Sequence, residues 1–311
     1  MKRRQRAAGA VVGAAVGDAL GAPFEFGPAG GFSARFPVPG AGGEMCGGGG
    51  WEPGEATDDT QMAVLVAESL LERGGLDLPD IFARFQRWAV SEPKDIGLQT
   101  EDVLTNGLPW DTAAPLHFQI TGRAAGNGSL MRASTSAVHF AAAGRRATMD
   151  AARRIAALTH GDAAAWEGTA LFHELVRVAL EGADPLTALP DTLSLVHPAH
   201  RARYAAVLAP DWHPDRATEF NGAVWPCLGS AVWALRTTTG FEDAVRAAID
   251  LGGDTDTVAA VTGGLAGAVH GLDAIPEHWT RPLHVPLPGH DGRVLRLTDL
   301  LDLARRLDGS R

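Results

Sequence analysis

The chain has 311 residues, 45% hydrophobic and 21% charged, an ordinary balance for a folded protein with a sizeable core. Its formal net charge is −10 and no basic block follows the first six residues. This excludes non-specific nucleic-acid binding but not a small anionic ligand held by local donors. Cys46 and Cys227 form no CxxC pair, so the sequence offers no thiolate metal site and fits a reducing, cytoplasmic setting.

In chain order, Met1-Lys2-Arg3-Arg4-Gln5-Arg6 ahead of residues 7–16 has the outline of a signal peptide. The apolar part is rich in Ala and Gly, lacks a leucine run and ends at Asp18, so no leader is expected. No run reaches the ~18 apolar residues of a membrane span, so no membrane partner is expected either. Residues 7–20 read as a small-residue helix in which Gly13 and Gly17 allow close packing. Residues 27–51 form a loop rich in Gly and Pro, and a loop of that length is usually functional. Helical spacing follows over 60–73, with Thr57, Asp58 and Asp59 as natural N-cap and first-turn residues, and again over 78–90. Residues 94–100 end a loop and enter a short helix. A glycine-rich turn at 122–128 feeds a helix over 129–143. Helices over 147–158 and 163–180 are separated by Thr159-His160-Gly161-Asp162. Residues 184–215 are helix fragments and loops, and helices follow over 224–235, 241–251, 257–269 and 297–307. Period-2 alternation is nearly absent, which predicts an all-α fold. No composition shift or repeat divides the chain, so one domain spanning 1–311 is expected.

The polar motifs all fall at predicted helix N-termini, where unpaired N–H groups and a partial positive charge suit anions. Two of them are acidic: Thr57-Asp58-Asp59-Thr60 and Gly252-Gly253-Asp254-Thr255-Asp256-Thr257. Either alone is also what an acidic first turn looks like. Two clusters flanked by threonines, in a chain whose only lysines are Lys2 and Lys94, ask for a neutralising cation. Carboxylate and hydroxyl oxygens are the ligands hard ions such as Mg²⁺ or Mn²⁺ prefer.

Other readings of the motifs are weaker. Asp254-Thr255-Asp256-Thr257-Val258 fits the D-x-D-x-[TV] signature of haloacid-dehalogenase-like phosphatases. That chemistry needs a strand before the motif and a lysine after it, and the chain supplies neither. His197 and His200 are interrupted by Pro198 and read as surface residues rather than zinc ligands. Gly126-Asn127-Gly128-Ser129 is no nucleophile elbow, and Gly47-Gly48-Gly49-Gly50 lacks the context of a dinucleotide fingerprint.

Taken together, the chain resembles the ADP-ribosylglycohydrolase family. The segments that carry the resemblance are Gly13 to Gly21 with Glu25 following, Thr57 to Thr60, Asp95-Ile96-Gly97, Gly126 to Arg132, Leu158 to Asp162, and Gly252 to Thr257. The resemblance implies a compact orthogonal helical bundle with a binuclear Mg²⁺ or Mn²⁺ centre. Thr57, Asp58, Asp59, Asp254, Asp256 and Thr257 would ligate the two cations. Gly97, Gly126, Asn127, Gly128, Ser129 and His160 would line an ADP-ribose cleft. Glu25, on a mobile loop, would be the first candidate for general acid or base, and Asp59 the second. The implied activity is hydrolysis at C1″ of ADP-ribose carried by a protein or small molecule, with arginine the default acceptor. Its rivals are an ADP-ribose-binding module without turnover and a non-catalytic relative of the lens-crystallin kind. A monomer is expected, because no long heptad or apolar face stands out.

Overall fold

The computed structural model describes residues 1–309. Among them are α1 (Arg3–Gly21), α2 (Gly31–Arg35), α3 (Asp58–Arg73), α4 (Leu78–Ala89), α5 (Leu98–Thr105) and α6 (Ala113–Thr121). These are followed by α7 (Ser134–Phe140), α8 (Arg145–Ala156), α9 (Ala163–Leu180), α10 (Leu189–Ser194) and α11 (Pro198–Val207). The last five are α12 (Val224–Thr237), α13 (Phe241–Ile249), α14 (Thr255–His270), α15 (Glu277–Thr280) and α16 (Leu297–Asp308). The fold is all-α, with one small ribbon of β1 (His284–Pro286) and β2 (Val294–Arg296) paired antiparallel, Val285 opposite Leu295.

The helix pair α1 and α14 makes the most extensive contact in the molecule. Every fourth residue of α1 from Gly9 to Gly21 is a glycine, so one face of the helix has no side chains. That face lies antiparallel on α14, backbone against backbone. A Cβ at Gly9 would stand 2.2 Å from the Gly267 carbonyl oxygen, and at Gly13 2.4 Å from that of Gly263. At Gly17 it would stand 2.0 Å from the Ala259 carbonyl oxygen, and at Gly21 2.5 Å from Asp256 Cα. Real Cβ atoms do not approach other atoms so closely, so only glycine permits this spacing. The consequence is functional geometry. The C-terminal end of α1, carrying Asp18, is held against the first turn of α14, carrying Asp256.

Around this pair α3, α7, α9, α12, α13 and α16 pack into a core that includes Leu20, Leu65, Phe85, Trp88, Phe172 and Phe241, all buried. The sequence reading denied any span-length apolar run, yet Arg3–Phe24 is long and apolar enough to cross a membrane by length and composition. Its most apolar window is 83% buried inside the molecule, which makes it the central core helix.

Other departures have local causes. Residues 129–143 are not one helix: the N–H groups of Leu130 and Met131 both reach the Asn127 carbonyl, making a turn, and α7 starts only at Ser134. Helix α6 went unrecognised because Pro115 sits inside it. There the proline occupies the first turn, where its missing N–H has no helical acceptor to lose. The three-residue strands are too short for alternation to register.

Candidate functional site

The two acidic clusters meet. Thr57 is the N-cap of α3, and its hydroxyl accepts the Asp59 N–H at 3.4 Å. Asp58 and Asp59 follow in the first turn. Asp18, fully buried on α1, holds this helix start from below. Its carboxylate accepts the N–H of Thr57 at 3.0 Å, the N–H of Thr60 at 3.1 Å and the Thr60 hydroxyl. On the other side, Thr255 at the head of α14 donates its hydroxyl to the Gly21 carbonyl at 2.9 Å. Thr257 then donates to Asp59 Oδ1 at 3.4 Å, joining residues from opposite ends of the chain. Asp256 Oδ1 accepts the Thr257 N–H at 2.8 Å.

Asp254 is fixed from both directions. Its N–H donates to Asn221 Oδ1 at 3.0 Å, and its Oδ2 accepts from Asn127 Nδ2 at 2.9 Å. The two glycines before it have φ of +70° and +73°, a conformation that L side chains rarely adopt. Backbone bonds next to Glu25 join its segment to the start of α14: Phe26 N–H donates to Gly253 O at 2.6 Å, and Gly253 N–H to Gly27 O at 3.2 Å. Carboxylate oxygens of Glu25, Asp254 and Asp256 lie within 4.8 Å of one another.

A cleft of about 570 Å³ opens over this floor. Asp58, Asp59, Asp254, Asp256, Thr257 and Glu25 line it, together with Asp95, Gly97, Gly126, Asn127, Gly128 and His160. No Lys or Arg is among its lining residues. His160 packs on the glycine turn, its Cε1 3.2 Å from where a Gly128 Cβ would stand. Arg132 Nη2 donates to Thr159 Oγ1 at 2.7 Å, and Thr159 Oγ1 lies 2.8 Å from His160 Nδ1. This contact fixes the ring's orientation, with its Nε2 edge toward the glycine turn. Burial first, then Arg132, lowers the His160 pKa and keeps the ring neutral. No protein acceptor among the described residues takes the N–H of Gly128 or Ser129.

The carboxyls titrate abnormally, and the main cause is desolvation. Burial pushes Asp18 up to about 6 despite the donors around it. Burial, then Asp95 and Asp254, pushes Glu25 up to about 7. Asp58 and Asp59 are raised by burial and then by other aspartates, chiefly Asp95 for the first and Asp256 for the second. Asp256 is raised by burial and then by Asp254, and Asp254 by burial. So many buried acids, with no Lys or Arg lining the cleft and only the buried Arg132 acting on one of them, Asp58, form a site built for positive charge. Asp59 Oδ2 is buried with no hydrogen-bond partner, and the donor set is oxygen only. These residues fit hard divalent cations.

Two expected residues are placed differently. Thr57 is fully buried behind Asp58 and does not line the cleft. The Ser129 side chain turns into the core, 3.1 Å from Thr169 Oγ1, and Ser129 does not line the cleft. Asp18 was legible as the one acid in an apolar helix, yet the motif reading gave it no role. Asn221, Phe26 and Phe220 lie in irregular segments with no pattern to mark them. A second oxygen and nitrogen cluster, Glu52, Glu55 and His284, lies elsewhere, with Lys94 Nζ already 2.7 Å from Glu55.

The ADP-ribosylglycohydrolase family model matches residues 1–311. The chain is 30% identical to the ADP-ribosyl-[dinitrogen reductase] glycohydrolase of Rhodospirillum rubrum, over 97% of this chain and 97% of that protein. It is also 30% identical to the ADP-ribosylarginine hydrolase Tri1 of Serratia proteamaculans, over 88% of this chain and 74% of that protein. A solved structure described as an ADP-ribosylglycohydrolase-related protein complex superposes with a TM-score of 0.76 at 34% identity, covering 99% of this chain and 98% of that one.

Proposed function

The chain belongs to the ADP-ribosylglycohydrolase family, and from that premise we propose that it hydrolyses the glycosidic bond at C1″ of ADP-ribose attached to an acceptor, by default a protein arginine. Asp58, Asp59, Asp254, Asp256 and Thr257 would hold two divalent cations, Mg²⁺ or Mn²⁺, with Thr57 behind them capping α3. When bound, these ions neutralise the carboxylates and polarise oxygens of the distal ribose and of water.

The chain's own groups do the rest. On one wall of the cleft Gly128, whose N–H has no protein acceptor among the described residues, lies beside the His160 ring, and this end suits the pyrophosphate. Departure of the acceptor builds positive charge at C1″ and the ring oxygen, and the acidic floor stabilises it. Glu25 stands at the edge of that floor and moves the proton, to the leaving atom or from water, with Asp59 the alternative. Asp18 touches no substrate; it holds Thr57 and Thr60 and so sets where Asp58 and Asp59 point.

The observation that carries this reading is the contact between Thr257 and Asp59, which makes one floor out of two distant clusters. A panel of defined ADP-ribosyl linkages, assayed with Mg²⁺, with Mn²⁺ and with chelator, tests it. Metal-dependent release of ADP-ribose, absent in Asp58→Ala and Asp256→Ala, is the expected result. Tight ADP-ribose binding without turnover of any linkage would make the protein a binding module. Binding of neither metal nor ADP-ribose would leave a non-catalytic relative.

A further inference from the structure

Two phenylalanines stand at the mouth of the cleft with no packing role to explain them. Phe26 is 72% exposed and Phe220 is 57% exposed, although both are large and apolar. Their rings are stacked, centroids 6.3 Å apart and planes within 21°. Both are fastened to one residue, Gly253, next to the first acid of α14. Phe26 donates its N–H to the Gly253 carbonyl. The Phe220 ring lies so close that a Cβ on Gly253 would meet Cε2 at 2.9 Å. Phe26 adopts φ of +57°, a left-handed conformation that is an outlier for a bulky residue. Strain and exposed apolar area at one spot are both unfavourable, and both persist at functional sites because something outside the fold uses them.

The position decides what that is. Phe26 follows Glu25 directly, and Phe220 precedes Asn221, which holds Asp254. Both rings line the same cleft as Glu25, Asp254 and Asp256, whose lining holds no Lys or Arg, and Phe220 also borders an adjoining cavity that includes Arg123. Phe26 is bonded to Gly253, next to Asp254, which places the wall at the acidic end, where the bond to the acceptor is cut. An aromatic face above carboxylates attracts a flat delocalised cation. A guanidinium bearing an N-linked ribose is such a cation, whereas a seryl oxygen is not.

We propose that Phe26 and Phe220 form the acceptor-recognition wall, on which the guanidinium of an arginine-linked substrate stacks while Glu25 and the aspartates hold the ribose. This rests on the hydrolase reading above and adds to it the side chains that select the linkage. The test is steady-state hydrolysis of arginine-linked and serine-linked ADP-ribosyl peptides by wild type, Phe26→Leu and Phe220→Leu, with ADP-ribose affinity from calorimetry. Leucine keeps apolar bulk and removes the ring.

The expected result is a fall of about tenfold in the ratio of kcat/KM for the arginine over the serine linkage, mostly through KM, with Phe26→Tyr restoring it. The Kd for ADP-ribose is expected to move less than about twofold, because the product carries no acceptor. Equal losses on both linkages, an unchanged ratio, or weakened ADP-ribose binding would overturn the proposal. Wild type that cleaves only the serine linkage overturns it while leaving the hydrolase reading intact. Wild type that cleaves neither linkage overturns both.

Discussion

Gly17→Ala isolates the helix contact that assembles the site. A methyl there would stand 2.0 Å from the Ala259 carbonyl oxygen and 2.5 Å from its carbon, where ordinary contact begins at 3.4 Å. Both atoms belong to the backbone of α14, so no rotamer change relieves the clash and the helices must part. Overpacking of this kind costs about 3 kcal/mol, the upper end of the usual range, because the neighbour cannot yield locally. Alanine in a helix returns about 1 kcal/mol in propensity, leaving a net loss of about 2 kcal/mol. For a chain of this size that lowers Tm by about 3 °C. Parting the helices also moves Asp256 and Thr257 relative to Asp59, and ligand sets tolerate only about 0.5 Å of displacement. Calorimetric titration of Mn²⁺ into the variant at a temperature where it is folded should therefore show weakened binding. Gly264→Ala is the control on the same helix: its methyl meets side chains at 3.2 Å or more, which can adjust. A Gly17→Ala protein that melts with the wild type and binds Mn²⁺ equally well would refute the account of how α1 sets the site.

Two further outcomes follow from the same geometry. Asp18→Asn keeps the shape but turns an amide toward the Thr57 and Thr60 donors, leaving buried N–H groups without full acceptors; it should cost about 2–3 kcal/mol by denaturant unfolding and weaken Mn²⁺ binding in calorimetry. The raised carboxyls also link metal to pH. Between the ordinary carboxylate range and about 6 to 7, the values for Asp18 and Glu25, the folded metal-free protein holds protons that the unfolded chain has released. Their contribution to its stability is therefore lost as pH rises through that window. Cations replace those protons, so the gain in Tm from Mn²⁺ over chelator should be larger at pH 8 than at pH 5.5. An equal gain at both values would count against the cations sitting among these acids.

Much of this molecule is legible in its sequence. Helix α9 was bounded residue for residue because Asp162 caps its start, the Ala164 N–H reaching Asp162 Oδ1 at 2.8 Å, and its apolar content is continuous. The acidic clusters could be paired because like charges need a common neutraliser, and family motifs fixed their order. The glycine spacing in α1 was read only in part: Gly13 and Gly17 were seen as packing residues, but the run from Gly9 to Gly21 matters through its partner, and no local pattern names α14. Asn221 was invisible for a similar reason, since its role is to bond Asp254 and Gly252 across the fold. Ser129 was assigned to the cleft by motif, and its side chain went to Thr169 because the turn at Asn127 aims it inward. Periodicity reports which face is apolar; it does not report where an irregular segment points.

The central claim is that acids from the start of α3 and the start of α14 share metal ions. An anomalous-difference map from a crystal of the protein soaked in Mn²⁺ tests it directly. Peaks bracketed by Asp58, Asp59, Asp254, Asp256 and Thr257 are the expected result. A map with no peak there, or with Mn²⁺ only at Glu52, Glu55 and His284, would contradict it.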